Sequence, residues 1–161
     1  MLTADAGFAL KDAVPFKVSA SAAGVKRYAN SDDAMQMIAA MPQADIRVET
    51  LTKELMLEPG GTGEIKVRIA RQNGFGGRVP VDVRNLPERV RVLDVGLNGV
   101  LLNETETERT FTIEALPNAA PSDQMVWISG VVETRSGLQT TFTAPVPVMV
   151  RVRGASSGGG R

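Results

Sequence analysis

From residue 48 onward, apolar and polar side chains alternate with a period of two along much of the chain. In Glu64-Ile65-Lys66-Val67-Arg68-Ile69-Ala70, three branched aliphatics are interleaved with charged residues. Successive side chains of an extended backbone point to opposite faces, so this spelling predicts a strand with one buried and one wet face. The same alternation recurs at Val79/Val81/Val83, at Phe111/Ile113/Ala115 and at Val146/Val148/Val150/Val152. Turn-forming sequences separate these runs: residues 58–63 (EPGGTG), 73–77 (NGFGG), 85–88 (NLPE), 96–99 (GLNG), 116–123 (LPNAAPSD) and 135–137 (RSG). Gly and Asn reach positive φ at little cost and Pro fixes φ, so such clusters reverse the chain. Short strands punctuated in this way predict an all-β fold, an antiparallel sandwich over residues 48–153. Pro80 and Pro147 fall inside alternating runs, where a missing N–H would break a central ladder; both are expected on edge strands or at bulges.

The first 47 residues read differently. Residues 14–29 resemble a β-hairpin, within a terminal segment spanning 1–30. Residues 31–47 are expected to hold a short connector helix and linker. Ser31 or Asp32 would cap the helix, Met35, Ile38 and Ala39 would share its apolar side, and Pro42 would close it. Residues 154–161, rich in Gly and Ser, read as a flexible tail. There is also an internal echo. Aligning Phe16-Lys17-Val18-Ser19-Ala20 with Val126-Trp127-Ile128-Ser129-Gly130 brings Gly24 near Gly137 and Val25 near Leu138, which would make 14–29 the last hairpin of a preceding sandwich.

The 161 residues carry 18 basic and 18 acidic side chains, for a formal net charge of zero. That balance gives neither the basic stripe expected of a nucleic-acid binder nor a polybasic membrane patch. No segment has the roughly 20 apolar residues of a spanning helix, so no membrane span is expected. The sequence has no His and no Cys. This excludes Ser-His-Asp and Cys-His nucleophile systems, His- or Cys-ligated zinc, and disulfides. The expectation is a protein without enzymatic activity, catalytic residues, metal or cofactor.

The densest candidate for chemistry is Arg71-Gln72-Asn73-Gly74-Phe75-Gly76-Gly77-Arg78. A phosphate cradle would open a helix after its last glycine. Here a strand, Val79-Pro80-Val81-Asp82-Val83, follows instead, so the stretch reads as a turn, with Asn73-Gly74 at positive φ and Phe75 folded over the end of the core. Sugar stacking by Phe75 is the alternative. Asn98-Gly99 is a hairpin signal of the same kind, with Asn98 as a possible contact to a carbohydrate hydroxyl. Glu104, Glu106 and Glu108 would share one face if extended and read as a solvated strand face rather than a calcium site or a glycosidase pair. Trp127, the single tryptophan, would point away from Val126, Ile128 and Gly130, either as core ballast or as a stacking platform. The candidate binding residues are therefore Asn73, Phe75, Arg78, Asn98 and Trp127.

Residues 50–152 carry a Pro-Gly turn before a strand, then Asn73-Gly74-Phe75-Gly76-Gly77, then Leu86-Pro87, then Thr107-Glu108 ahead of a Thr-Phe strand. In this pattern the chain resembles the immunoglobulin-like repeat modules of large secreted bacterial proteins, similar to the alpha-galactosidase-associated domain. The resemblance implies an immunoglobulin-like β-sandwich at the cell surface or outside the cell. It implies a non-catalytic spacer or assembly unit whose partners are neighbouring modules or identical subunits. A carbohydrate-binding module, with a glycan as partner, is the competing expectation.

Overall fold

The computed structural model describes residues 10–16, 19–28, 36–38, 44–93, 99–133 and 139–154. It divides into two compact units, Met1–Gln43 and Ala44–Arg161. All regular structure among the described residues is β.

In the first unit, β1 (Val14–Phe16) and β2 (Ser19–Ala22) are followed by β3 (Val25–Tyr28) and β4 (Gln36–Ile38). Strands β2 and β3 form an antiparallel hairpin in which Ala22 faces Val25. Ala23 and Gly24 between them both have positive φ, 48° and 77°. Two such residues in succession match the right-handed twist of the flanking strands. β1 pairs antiparallel with β4, Val14 opposite Ile38 and Phe16 opposite Gln36.

The connector helix expected over 31–47 is therefore corrected: Gln36–Ile38 are a strand, and the chain is again extended from Ile46. A helix of a turn or two is marginal by itself. Pairing with β1 satisfies the same main-chain groups and sets Ile38 opposite Val14. The expected cap at Ser31 or Asp32, together with Met35, Ala39 and Pro42, lies outside the described residues.

The second unit is a sandwich-like arrangement of two sheets. Its strands are β5 (Ile46–Thr50), β6 (Glu54–Leu57), β7 (Thr62–Arg71), β8 (Val79–Arg84), β9 (Val90–Val92), β10 (Val100–Leu102), β11 (Glu108–Ala115), β12 (Ser122–Glu133), β13 (Gln139–Thr143) and β14 (Val148–Val152). One sheet has the order β5-β7-β11-β9; the other runs β10-β8-β12-β14-β6, with β13 also on β12. Strands β5 and β6, consecutive in the chain, thus belong to different sheets. β6 pairs with β14 in parallel, whereas every other pairing among the described residues is antiparallel.

The alternation read from the sequence lines the interior. Ile65, Val67, Ile69, Val79, Phe111, Ile113, Ala115, Val126, Ile128, Val148 and Val150 are all at most 1% exposed. A side chain such as Phe111 accounts for roughly 1.5–3 kcal/mol of burial free energy by area alone. Gly130 lies on the inner face of β12, packed against Ile46 and Val48 of β5 in the facing sheet and against Val79 of the neighbouring β8. A Cβ there would stand 2.8 Å from Ile46 Cδ1 and 2.9 Å from Val79 Cγ1.

Four expectations need correction. Pro80 is not on an edge strand, because β8 lies between β10 and β12; its ladder to β12 begins only at Val81, so the missing N–H breaks nothing on that side. Val146 does not continue the inward series of Val148, Val150 and Val152. It is 53% exposed in the Pro145-Val146-Pro147 interruption between β13 and β14, where Pro147 lies clear of both ladders to β12. The strands flanking Asn98-Gly99 do not form a hairpin, since β9 pairs with β11 and β10 pairs with β8; Val90 and Val100 are buried in opposite sheets. Residues 103–106 form a turn rather than an extended face. Glu106 N donates to Asn103 O at 3.1 Å, and Asn103 N donates to Glu106 Oε2 at 2.9 Å.

Candidate functional site

The stretch from Arg71 to Arg78 is held by its own backbone and by one arginine. Phe75 N donates to Gln72 O at 2.9 Å across Asn73 and Gly74, whose φ values are 53° and 75°. Arg71 Nε donates to Gly77 O at 3.0 Å, Nη1 to Glu106 O at 2.5 Å, and Nη2 to Asn103 O at 2.6 Å. A planar guanidinium offers five N–H donors in a fixed fork, and here it clips two loops together. Phe75 packs against the core, with its ring over Gly77, where a Cβ would lie 2.9 Å from Cζ. Asn73 donates through Nδ2 to Ala44 O at 3.1 Å.

Of the remaining candidates, Arg78 is exposed and Asn98 lies outside the described residues. Trp127 is half-buried and faces away from the core, between inward Val126 and Ile128. It is opposite Arg84, at the far end of β8 from Val79 and the loop that precedes it. Strand rise over that length separates the two ends by about 17 Å. The structure therefore does not gather Phe75 and Trp127 into one aromatic site. Among the described residues no group of three acidic side chains could hold a metal ion.

The two outer faces of the sandwich differ in chemistry. On the β5-β7-β11-β9 sheet, charges face each other across the strands. Lys66 Nζ lies 2.5 Å and Arg68 Nη2 2.7 Å from the Glu108 carboxylate, and Arg68 Nη1 lies 3.3 Å from Glu49. Hydrogen bonds from Lys66 and then Arg68 hold Glu108 below the usual carboxylate range. The bond to Glu108 in turn raises Arg68.

The outer face of the other sheet carries a stripe of methionines and the tryptophan. Met125 on β12 is directly opposite Met149 on β14, and Met56 on β6 is opposite Arg151. Opposed residues have Cβ atoms about 5 Å apart, and Trp127, two residues beyond Met125, shares its face. Met56 and Met125 are 53% and 52% exposed. Arg151 crosses the stripe, 2.6 Å from both Glu54 Oε1 and Asp123 Oδ2. This surface escaped the sequence reading, although its signal was present. Met125-Val126-Trp127-Ile128 and Val148-Met149-Val150 place apolar residues in the wet phase of an alternating run as well as the dry one.

No protein-family profile matches the chain, and no curated protein sequence matches it. Among solved structures it is similar to domains 4 and 5 of the S-layer protein SbsC, at 15% identity and a TM-score of 0.43, over 86% of this chain and 66% of that one. It is also similar to the surface layer protein SbsC, domains 1–6, at 17% identity and a TM-score of 0.43, over 84% of this chain and 16% of that one. The chain thus spans less than two thirds of either. A third similar chain, at 13% identity and a TM-score of 0.38, comes from a structure on T cell specificity and activation by the bacterial superantigen toxic shock syndrome toxin-1. There the likeness covers 67% of this chain and 99% of that one. Likeness of this degree carries no functional inference.

Proposed function

We propose that this chain is a non-catalytic, immunoglobulin-like module of a multidomain bacterial surface or secreted protein, in which it spaces or assembles protein units through the outer face of the β12 sheet. The strand order supports the immunoglobulin-like part. The order β5-β7-β11-β9 follows the A-B-E-D arrangement, and β8-β12-β14 follows C-F-G. The departure is that β9 precedes β10, so the chain visits the D position before the strand flanking C.

The observation that carries the functional part is the Met56, Met149, Met125 and Trp127 stripe on a sheet face that also carries the charges of Glu54, Asp123 and Arg151. Methionine adapts its shape and tryptophan adds a large apolar surface, and both are favoured where protein meets protein. The expected partner is a neighbouring module or an identical subunit. Sedimentation of the full chain from micromolar to millimolar concentration should show self-association that Met125→Lys weakens at least tenfold. A chain that stays monomeric throughout, and whose Trp127 fluorescence responds to an oligosaccharide, would overturn this reading in favour of a glycan-binding module.

A further inference from the structure

The first unit repeats the pairing plan of the last hairpin of the second. In the second unit, β12 is one long strand whose partner is broken in two. Val126 is opposite Val148, the first residue of β14, and Ser129 is opposite Thr143, the last residue of β13. In the first unit, Phe16 is opposite Gln36, the first residue of β4, and Ser19 is opposite Tyr28, the last residue of β3. Phe16 and Ser19 are separated by two residues, as are Val126 and Ser129. The correspondence holds at a constant offset of 110 along β1, β2 and β12. The partner side differs only in the lengths of its connections. Two residues join Ala22 to Val25, against seven between their counterparts Val132 and Thr140. Val25 thus corresponds to Thr140, not to Leu138 as the sequence echo suggested.

What surrounds these strands differs. In the second unit β12 is also bonded to β8, and β14 to β6, and the β5-β7-β11-β9 sheet covers the inner face. In the first unit, among the described residues, β1 pairs only with β4 and β2 only with β3. Val14 and Val25, on the strand positions that would face a second sheet, are 40% and 55% exposed. Isolated two-stranded pairs of this kind are marginal in water.

We infer that the first unit is the closing hairpin of a second sandwich. Its open edges on β2 and β4 accept strands equivalent to β8 and β6, and its apolar face accepts a sheet equivalent to β5-β7-β11-β9. The occupant is thus a polypeptide with the character of residues 44–121. This inference extends the modular reading to a second module but rests on strand register, not on the outer methionine face. Substituting Met125 therefore leaves it untouched.

The test supplies the missing strands. Residues 44–121 are fused ahead of Asp12, the counterpart of Ser122, so that the product contains 44–121 followed by 12–154. Hydrogen exchange is then read at the amides of Val14–Ile38. Protection at least a hundredfold above that in the unfused chain is the expected result. Exchange equal to that of the unfused chain, in a product whose second unit is folded, overturns the inference. If the fusion is insoluble, the same amides are read in the full chain with polypeptide 44–121 added in trans. Protection there supports the inference and unchanged exchange overturns it. Self-association by sedimentation is scored separately, so a failure here and a failure of the protein-contact reading are distinguishable.

Discussion

Gly130→Ala tests the packing at the inner face of β12. The new methyl would lie 2.8 Å from Ile46 Cδ1, 2.9 Å from Val79 Cγ1 and 3.2 Å from Val48 Cγ2. The Ile46 methyl is the tip of a flexible side chain and can rotate away, whereas Val79 is stiff at χ1 and fully buried. Overpacking of this kind costs about 1–3 kcal/mol. Replacing glycine in a strand returns roughly 0.5–1 kcal/mol, because alanine has less backbone freedom to lose. The net expectation is a destabilisation of about 1–2 kcal/mol, read as a lower urea midpoint with an unchanged slope. Trp127, the single tryptophan, gives the fluorescence signal. Ile46→Val supplies the control, because it removes the methyl group that the added Cβ at position 130 would strike. Alone it should cost about 0.5–1.5 kcal/mol. Combined with Gly130→Ala it should cost less, leaving a coupling of at least about 0.5 kcal/mol. A strictly additive cycle would clear Ile46 and leave Val79 as the group struck, and a Gly130→Ala protein more stable than the parent would refute the steric account.

Two further expectations come from side chains at the surface. Arg71→Ala removes the donors to the carbonyls of Gly77, Glu106 and Asn103; thermal melts should show a loss of about 1–2 kcal/mol, and exchange should quicken in residues 72–78 and 103–107 before it does elsewhere. Glu108 is held below its ordinary value by Lys66 and Arg68. Its carboxylate therefore contributes stability that is complete above the unfolded-state pKa and is lost as pH falls through the lowered folded-state one. In low salt, Glu108→Gln should flatten the acid limb of the stability curve below about pH 4.3. An identical acid limb in both proteins would count against the ion pairs as a source of stability.

The features legible in the sequence are those set by local chemistry. Ile65, Val67 and Ile69 announce their strand because burial follows the pleat, and Asn73-Gly74 announces a turn because its two residues tolerate positive φ. What escaped depends on contacts distant in sequence. Gln36–Ile38 could turn as a helix on local grounds and became a strand because Val14–Phe16 offered a ladder. Nothing local tells that Leu51, Thr52 and Lys53 carry the chain from one sheet to the other, or that Arg71 reaches loops more than thirty residues away. Among the candidate site residues, the alternation around Trp127 gave its direction. The neighbours that make its surface, Met149 and Met56, arrive from strands whose order no local pattern encodes.

The parallel pairing of β6 with β14 has a mechanical consequence. These are nearly the first and the last strands of the sandwich, and they are tied by Met149 N to Lys53 O and Arg153 N to Leu57 O, each at 2.9 Å, at the two ends of the pair. Tension that reaches β6 from its N-terminal side, past β5, and β14 from its C-terminal side pulls β6 backward and β14 forward along their shared axis. The bonds between them are then loaded together in shear instead of being unzipped one by one. A unit stitched in this way meets stretching along its length with all the bonds of the pair at once.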